Sequence, residues 1–167
     1  MGSMLAEMNF PGLASMEPPV THVIQVASGL RQSHAARGLR YLSLDLDDTE
    51  EADILSLLPR VCRAIDAAIE EGGNAFVHCA AGVSRSGAMV VGYCMWKRGW
   101  GLGEALRHVR AQRDIVSPNP GFLCQLHLFD TLYGRDIGAE IRAWRHHYRQ
   151  CVEDGTLGRL HDQYKRW

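Results

Sequence analysis

Cys79 closes the short run NAFVHC, and Arg85 and Ser86 follow it across a loop of five small or medium residues, Ala80, Ala81, Gly82, Val83 and Ser84. Small residues let a backbone come close to a ligand. The N–H groups of such a loop can converge on one point, and a helix starting near Arg85 would add the positive end of its dipole there. This is a layout for holding an anion. A thiol at the rim of that cradle is stabilised as thiolate by the same donors, so Cys79 is expected to ionise below the ordinary value of about 8.5. Arg85 offers a planar fork that can take two phosphate oxygens. A thiolate under a bound phosphate is a nucleophile for phosphoryl transfer through a phosphocysteine.

Elements must place these groups. The apolar, β-branched run VTHVIQVA (20–27) reads as a buried strand, LRYLSLDL (39–46) as a second and NAFVH (74–78) as a third. SGLRQSHAARG between the first two reads as a turn and a short helix. DDTEEAD is an acidic loop. From Asp53, apolar residues recur at helical spacing, with Asp53 as a plausible N-cap, Pro59 as a kink or break and Gly72-Gly73 as the stop. SRSGAMVVGYCMWKRG (84–99) is apolar nearly all round, as a buried helix would be. LGEALRHVRAQR and GFLCQLHLFDTLYG read as further helices, separated by the turn SPNPGF. Strands alternating with helices predict an α/β domain with a central, mostly parallel sheet flanked by helices.

The chain has 167 residues, 46% hydrophobic, enough for one compact domain with a sizeable core. A net charge of −1 carries no bias towards nucleic acid or an anionic membrane. No apolar run is long enough to span a bilayer, and no secretory leader is expected. Five cysteines, an odd number with no Cys-x-x-Cys, fit neither a disulfide framework nor a zinc cluster. They suit a reduced compartment, so cytoplasmic residence is expected, with the nucleus left open.

HCAAGVSRS fits the signature of cysteine-based protein phosphatases: His-Cys, five residues of any kind, Arg, then Ser or Thr. The downstream stretch through SPNPGFLCQL resembles the dual-specificity phosphatases in particular, from about Val20 to Leu132, and the absence of a kinase-docking domain resembles the small atypical members. The resemblance implies a protein-tyrosine-phosphatase-like fold and a metal-free, cofactor-free hydrolase acting on phosphorylated proteins. It assigns Cys79 as nucleophile and Arg85 as phosphate clamp. His78 would orient the loop by hydrogen bonding, and Ser86 would donate to the sulfur as it leaves. The backbone of Ala80, Ala81, Gly82, Val83 and Ser84 would bind phosphate. The family's general acid is an Asp on the loop after the preceding strand. Of Asp45, Asp47 and Asp48, the pattern favours Asp48, with Asp47 the runner-up. Asn119 resembles a residue that braces the phosphate loop. Cys124 reads as a core thiol, a disulfide with Cys79 being the alternative. The interior AAGVS lacks the lysines of phosphoinositide-directed relatives. The chain also lacks the pocket-deepening segments of the tyrosine-specific group, so phosphotyrosine and phosphoserine or phosphothreonine are all expected substrates. The alternative function is a weakly active or inactive phosphoprotein-binding scaffold.

Two regions depart from the family pattern. Residues 1–19 read as irregular, without a good equivalent of the family's opening x-Leu-Gly strand, so either the sheet lacks an edge strand or MLAEMNFPGLAS covers the gap in an irregular way. The catalytic domain is expected over 20–133 and a helical extension over 134–167. In that extension, Ile137, Ile141, Trp144, Tyr148 and Cys151 form an apolar stripe. The readings of this 136–152 helix are docking on the domain, a partner or dimer contact, and membrane-surface binding.

Overall fold

The computed structural model describes residues 1–131, except the Phe10 side chain, together with 134, 135, 137, 149, 150, 153–155, 159, 162 and 163. Four strands, β1 (Gly2–Ser3), β2 (Val20–Val26), β3 (Arg40–Leu44) and β4 (Asn74–Cys79), form one sheet in the order β1-β4-β2-β3. All neighbours are parallel. The helices are α1 (Met4–Met8), α2 (Phe10–Ala14), α3 (Leu58–Glu70), α4 (Arg85–Arg98), α5 (Leu102–Gln112) and α6 (Pro120–Thr131). Among the described residues no helix is long and apolar enough to cross a membrane.

Successive strand side chains point to opposite faces, and both faces of this sheet are covered. Ile24, Val26, Leu44 and Val77 face the main core, which α3, α4, α5 and α6 complete with Leu58, Met89, Leu106, Phe122 and Phe129. Val23 and Phe76 face the other way, onto a thinner layer with Leu13, Val20, Leu39 and Tyr41. Helix α4 is packed by the sheet and by α3, α5 and α6, which explains its lack of a polar face. The site-bearing strand β4 is internal, and its carboxyl end opens beside the point where the strand order changes direction, the usual ligand position in open parallel sheets.

Two expectations are corrected. The N-terminal stretch is not irregular: it supplies β1, α1 and α2, and β1 adds the flanking strand that the sequence seemed to lack, pairing Gly2 with His78 and Ser3 with Cys79. A two-residue strand is too short to show any alternation, which is why the pattern hid it. Asp53 does not cap the long helix. It accepts from Ser56 N–H and Oγ in a separate turn, and α3 begins beside Pro59, where a missing N–H costs nothing. The short helix expected before β3 is a 3-10 helix, Ala35–Arg37, ended by Gly38. The helix expected over 136–152 lies almost wholly outside the described residues; of its apolar stripe, Ile137 packs on the main core.

Candidate active site

Strand alternation decides the first step. His78 and Cys79 are consecutive in β4, so His78 faces the thin N-terminal layer while Cys79 faces α4. Both are fully buried. Residues 80–84 carry the chain from β4 into α4, and three of the loop's carbonyls are pinned outwards. Ala80 O accepts from Met4 N–H at 3.1 Å, Gly82 O from Arg113 Nε at 3.2 Å, and Val83 O from Ser117 N–H at 3.2 Å. Tying the carbonyls from outside frees N–H groups to turn inwards: Gly82 N–H donates to Cys79 Sγ at 3.2 Å. The Ser86 hydroxyl lies 3.3 Å from the same sulfur.

Gly82 has φ of +73°, and a Cβ there would run into the Gly2–Ser3 backbone. Both the conformation and the space demand glycine. Gly82→Ala is expected to cost about 2–5 kcal/mol of stability, the sum of left-handed strain and overpacking, and to lower turnover with it. Urea denaturation checks this; an unchanged midpoint would contradict the placement of β1 under the loop.

Two equally buried thiols behave in opposite ways. Burial, reinforced by Asp66, pushes Cys62 up to about 12. Burial also works against the Cys79 thiolate. It is outweighed by the Ser86 hydroxyl and by the backbone N–H groups of Ser86, Gly82 and Val83, which hold Cys79 below the ordinary thiol value. Desolvation is common to both; the convergent donors are special to Cys79.

Arg85, at the start of α4, donates from Nη1 to Leu46 O at 3.2 Å. Its Nε is buried, makes no hydrogen bond among the described residues, and lies 3.6 Å from Asp48 Oδ2. The acidic loop thus reaches directly to the guanidinium. Asp48 Oδ1 accepts from Ser84 Oγ at 2.6 Å and from Asn119 Nδ2 at 3.0 Å. Asp47 points elsewhere, accepting from Ser28 Oγ at 3.4 Å, and Asp45 is exposed. Asp48 is therefore the loop carboxylate brought to the cradle.

Asn119 joins several pieces. Its N–H donates to Ser84 Oγ at 3.0 Å, its Nδ2 also reaches Thr49 O, and its Oδ1 accepts from Phe122 N–H in the first turn of α6. Gln125, fully buried in α6, holds the other end of the acidic loop through Ala52 O and Ile54 N–H. Cys124 sits beside it in the main core. Sequence reasoning missed the Ser84 side chain, Gln125, Arg113 and Glu7. Ser84 and Gln125 are ordinary polar residues until the fold sets the acidic loop against them. Glu7, on a short N-terminal helix, is 1% exposed and lies against His78, with Oε2 3.0 Å from Nε2; a single acid among MLAEM carries no signal of burial.

Cys79, Arg85 and Asp48 thus meet over one loop. The model of the dual specificity phosphatase catalytic domain matches residues 13–131. Dual specificity protein phosphatase 1 of Arabidopsis thaliana is 39% identical over 126 residues, which cover 75% of this chain and 62% of that one. The chain therefore spans less than two thirds of that relative. The mouse serine/threonine/tyrosine-interacting protein is 31% identical over 152 residues, covering 86% of this chain and 68% of that one. A mouse putative dual specificity phosphatase, crystallised with zinc tungstate, superposes with a TM-score of 0.74 at 31% identity, covering 81% of this chain and 84% of that one. With the family model spanning β2, β3, β4, the Cys79 loop and α6 alike, the chain belongs to the dual specificity phosphatase catalytic-domain family.

Proposed function

We propose that the chain hydrolyses phosphate esters on proteins, at tyrosine and at serine or threonine, through a phosphocysteine on Cys79. The observation that carries this is the inverted behaviour of the Cys79 thiol: fully buried, yet held towards thiolate by donors that converge where a phosphate would sit. The Cys79 thiolate attacks phosphorus, forming the P–S bond as the P–O bond to the side chain breaks. Arg85 Nε, which has no hydrogen bond among the described residues, and the inward N–H groups take the phosphoryl oxygens. Asp48 gives its proton to the leaving oxygen. Oδ1 is already taken by Ser84 and Asn119, so the proton belongs on Oδ2. Left as carboxylate, Asp48 then accepts a proton from water as the water oxygen attacks phosphorus. The P–S bond breaks, and the Ser86 hydroxyl stabilises the departing thiolate.

The test is phosphate release from phosphotyrosine and phosphothreonine peptides, in EDTA and a thiol reductant. Release from both is expected. Release from neither, by a folded protein that still binds tungstate, would favour a phosphoprotein-binding scaffold instead. The likeness to a relative named for interacting with, rather than hydrolysing, its partners makes that the second reading.

A further inference from the structure

Glu7 lies outside the reaction just described, yet its carboxylate is buried and placed with care. A buried carboxylate is costly unless it is paired and hydrogen-bonded. Tyr41 Oη donates to Oε1 at 2.7 Å and Gln25 Nε2 donates to Oε2 at 3.3 Å, while His78 Nε2 lies 3.0 Å from Oε2 in a close polar contact that is not aligned as a hydrogen bond. Gln25 is itself held by Arg31 O and Ser43 Oγ. Tyr41 is pushed up to about 12 by burial and by Glu7, so it stays a donor. Burial lowers His78 while Glu7 pushes it back up. Among the described residues these titratable groups contact the carboxylate, and His34 Nε2 lies on the Glu7 carbonyl.

The protons can be counted. His78 Nδ1 lies 3.3 Å from Cys79 O, which can only accept, so Nδ1 carries a hydrogen. An unprotonated Nε2 facing an ionised carboxylate at 3.0 Å would be repulsive, so the ring–carboxylate pair carries one more proton, although the contact is not aligned as a hydrogen bond. Without Glu7 the ring could turn or move its hydrogen to Nε2, and the bond to Cys79 O would be lost. That carbonyl shares one planar peptide with Ala80 N–H. Holding the carbonyl towards His78 sends Ala80 N–H the opposite way and fixes where Sγ hangs beneath Gly82 N–H.

We infer that Glu7 is a positioning residue: through His78 it locks the Cys79 peptide and so keeps the thiolate seated under the loop donors. This rests on the phosphatase reading of the same site. The arm that carries Glu7 also pairs with residues 78 and 79 and donates to Ala80 O, so the side chain completes a grip on three consecutive residues.

The experiment measures iodoacetamide alkylation of Cys79 against pH, alongside thermal unfolding, in wild type, Glu7→Ala, Glu7→Leu, Glu7→Gln and Tyr41→Phe. Glu7→Ala and Glu7→Leu are expected to raise the midpoint, slowing alkylation about tenfold below the wild-type midpoint, the equivalent of one pH unit. Glu7→Gln can still donate an amide hydrogen to Nε2, which keeps the hydrogen on Nδ1, so it should recover most of the wild-type rate. A rescue by Leu as complete as that by Gln would reduce Glu7 to a space filler and overturn the inference. So would an unmoved midpoint in folded Glu7→Ala. If Glu7→Ala and Glu7→Leu do not fold, Tyr41→Phe decides: loosening the carboxylate should move the midpoint the same way, by about threefold in rate, and no movement rejects the proposal. Alkylation does not depend on turnover. A wild type that releases no phosphate, yet shows the Gln-but-not-Leu rescue, would reject the phosphatase reading while leaving the positioning role standing.

Discussion

Cys79→Ser is expected to bring phosphate release down to background, a loss of roughly 10⁴-fold or more, as for removal of a nucleophile elsewhere. A serine hydroxyl placed where the sulfur sits has no nearby base to ionise it. The Ser86 and Gly82 donors that suit a thiolate accept no proton from it. Oxyanion binding should survive, because Arg85 and the loop N–H groups are untouched and the carbonyls behind them stay pinned by Met4, Arg113 and Ser117. Tungstate should bind at least as tightly as to wild type, since a negative charge has left the base of the cradle. Calorimetry with tungstate, beside phosphate release, separates the two effects. Turnover that persists would remove Cys79 from the mechanism; binding that disappears would show that the loop needs the sulfur to keep its shape. The same chemistry sets a pH dependence. The reactive form is the thiolate, so alkylation of wild-type Cys79 falls as pH drops through its folded value. That value lies below the ordinary thiol range of about 8.5, so the acid limb belongs below it too.

Asp48→Asn should cost about 10²-fold or more on a phosphothreonine peptide, within the range for losing a general acid, and far less on p-nitrophenyl phosphate. The difference follows from the leaving group: an alkoxide needs a proton as it departs, whereas a nitrophenolate hardly does. An asparagine can still accept from Ser84 and Asn119, so the loop should stay in place while the transferable proton is lost. Asp47→Asn should change little, since Asp47 contacts Ser28 on the outer side of the loop. Kinetics of both variants on both substrates make the comparison. If Asp47→Asn shows the leaving-group dependence instead, the acid is misassigned; if Asp48→Asn slows both substrates equally, Asp48 acts on binding or loop shape.

The layout of residues 78–86 could be read before any coordinates, because a loop between a strand and a helix is a local object. Thiol, small-residue loop, arginine and helix start lie within one short segment, and the backbone path from strand to helix brings them together. The helices around α4 were legible for a similar reason: their apolar periodicity is local. Choosing Asp48 over Asp47 from sequence relied on resemblance to a family, since adjacent carboxylates on a polar loop are alike in composition. The structure separates them by contacts, one to Ser84 and Asn119, the other to Ser28.

What the sequence by itself determined is therefore the Cys79 loop with Arg85 at its far end and the alternating α/β layout, all written in residues close along the chain. What only the tertiary structure decided are the pairings between segments far apart in it. β1 is two residues long and has no pattern of its own; it exists because β4 offers an edge. Asn119 reaches Asp48 because α6 packs beside the acidic loop, and Gln125 anchors that loop from the same helix. Glu7 is an unremarkable acid until α1 carries it under the sheet, where strand alternation has turned His78 to meet it. The physical reason is the same in each case: burial and hydrogen-bond partners are properties of packed surfaces, and a packed surface is made of residues that sequence spacing does not relate.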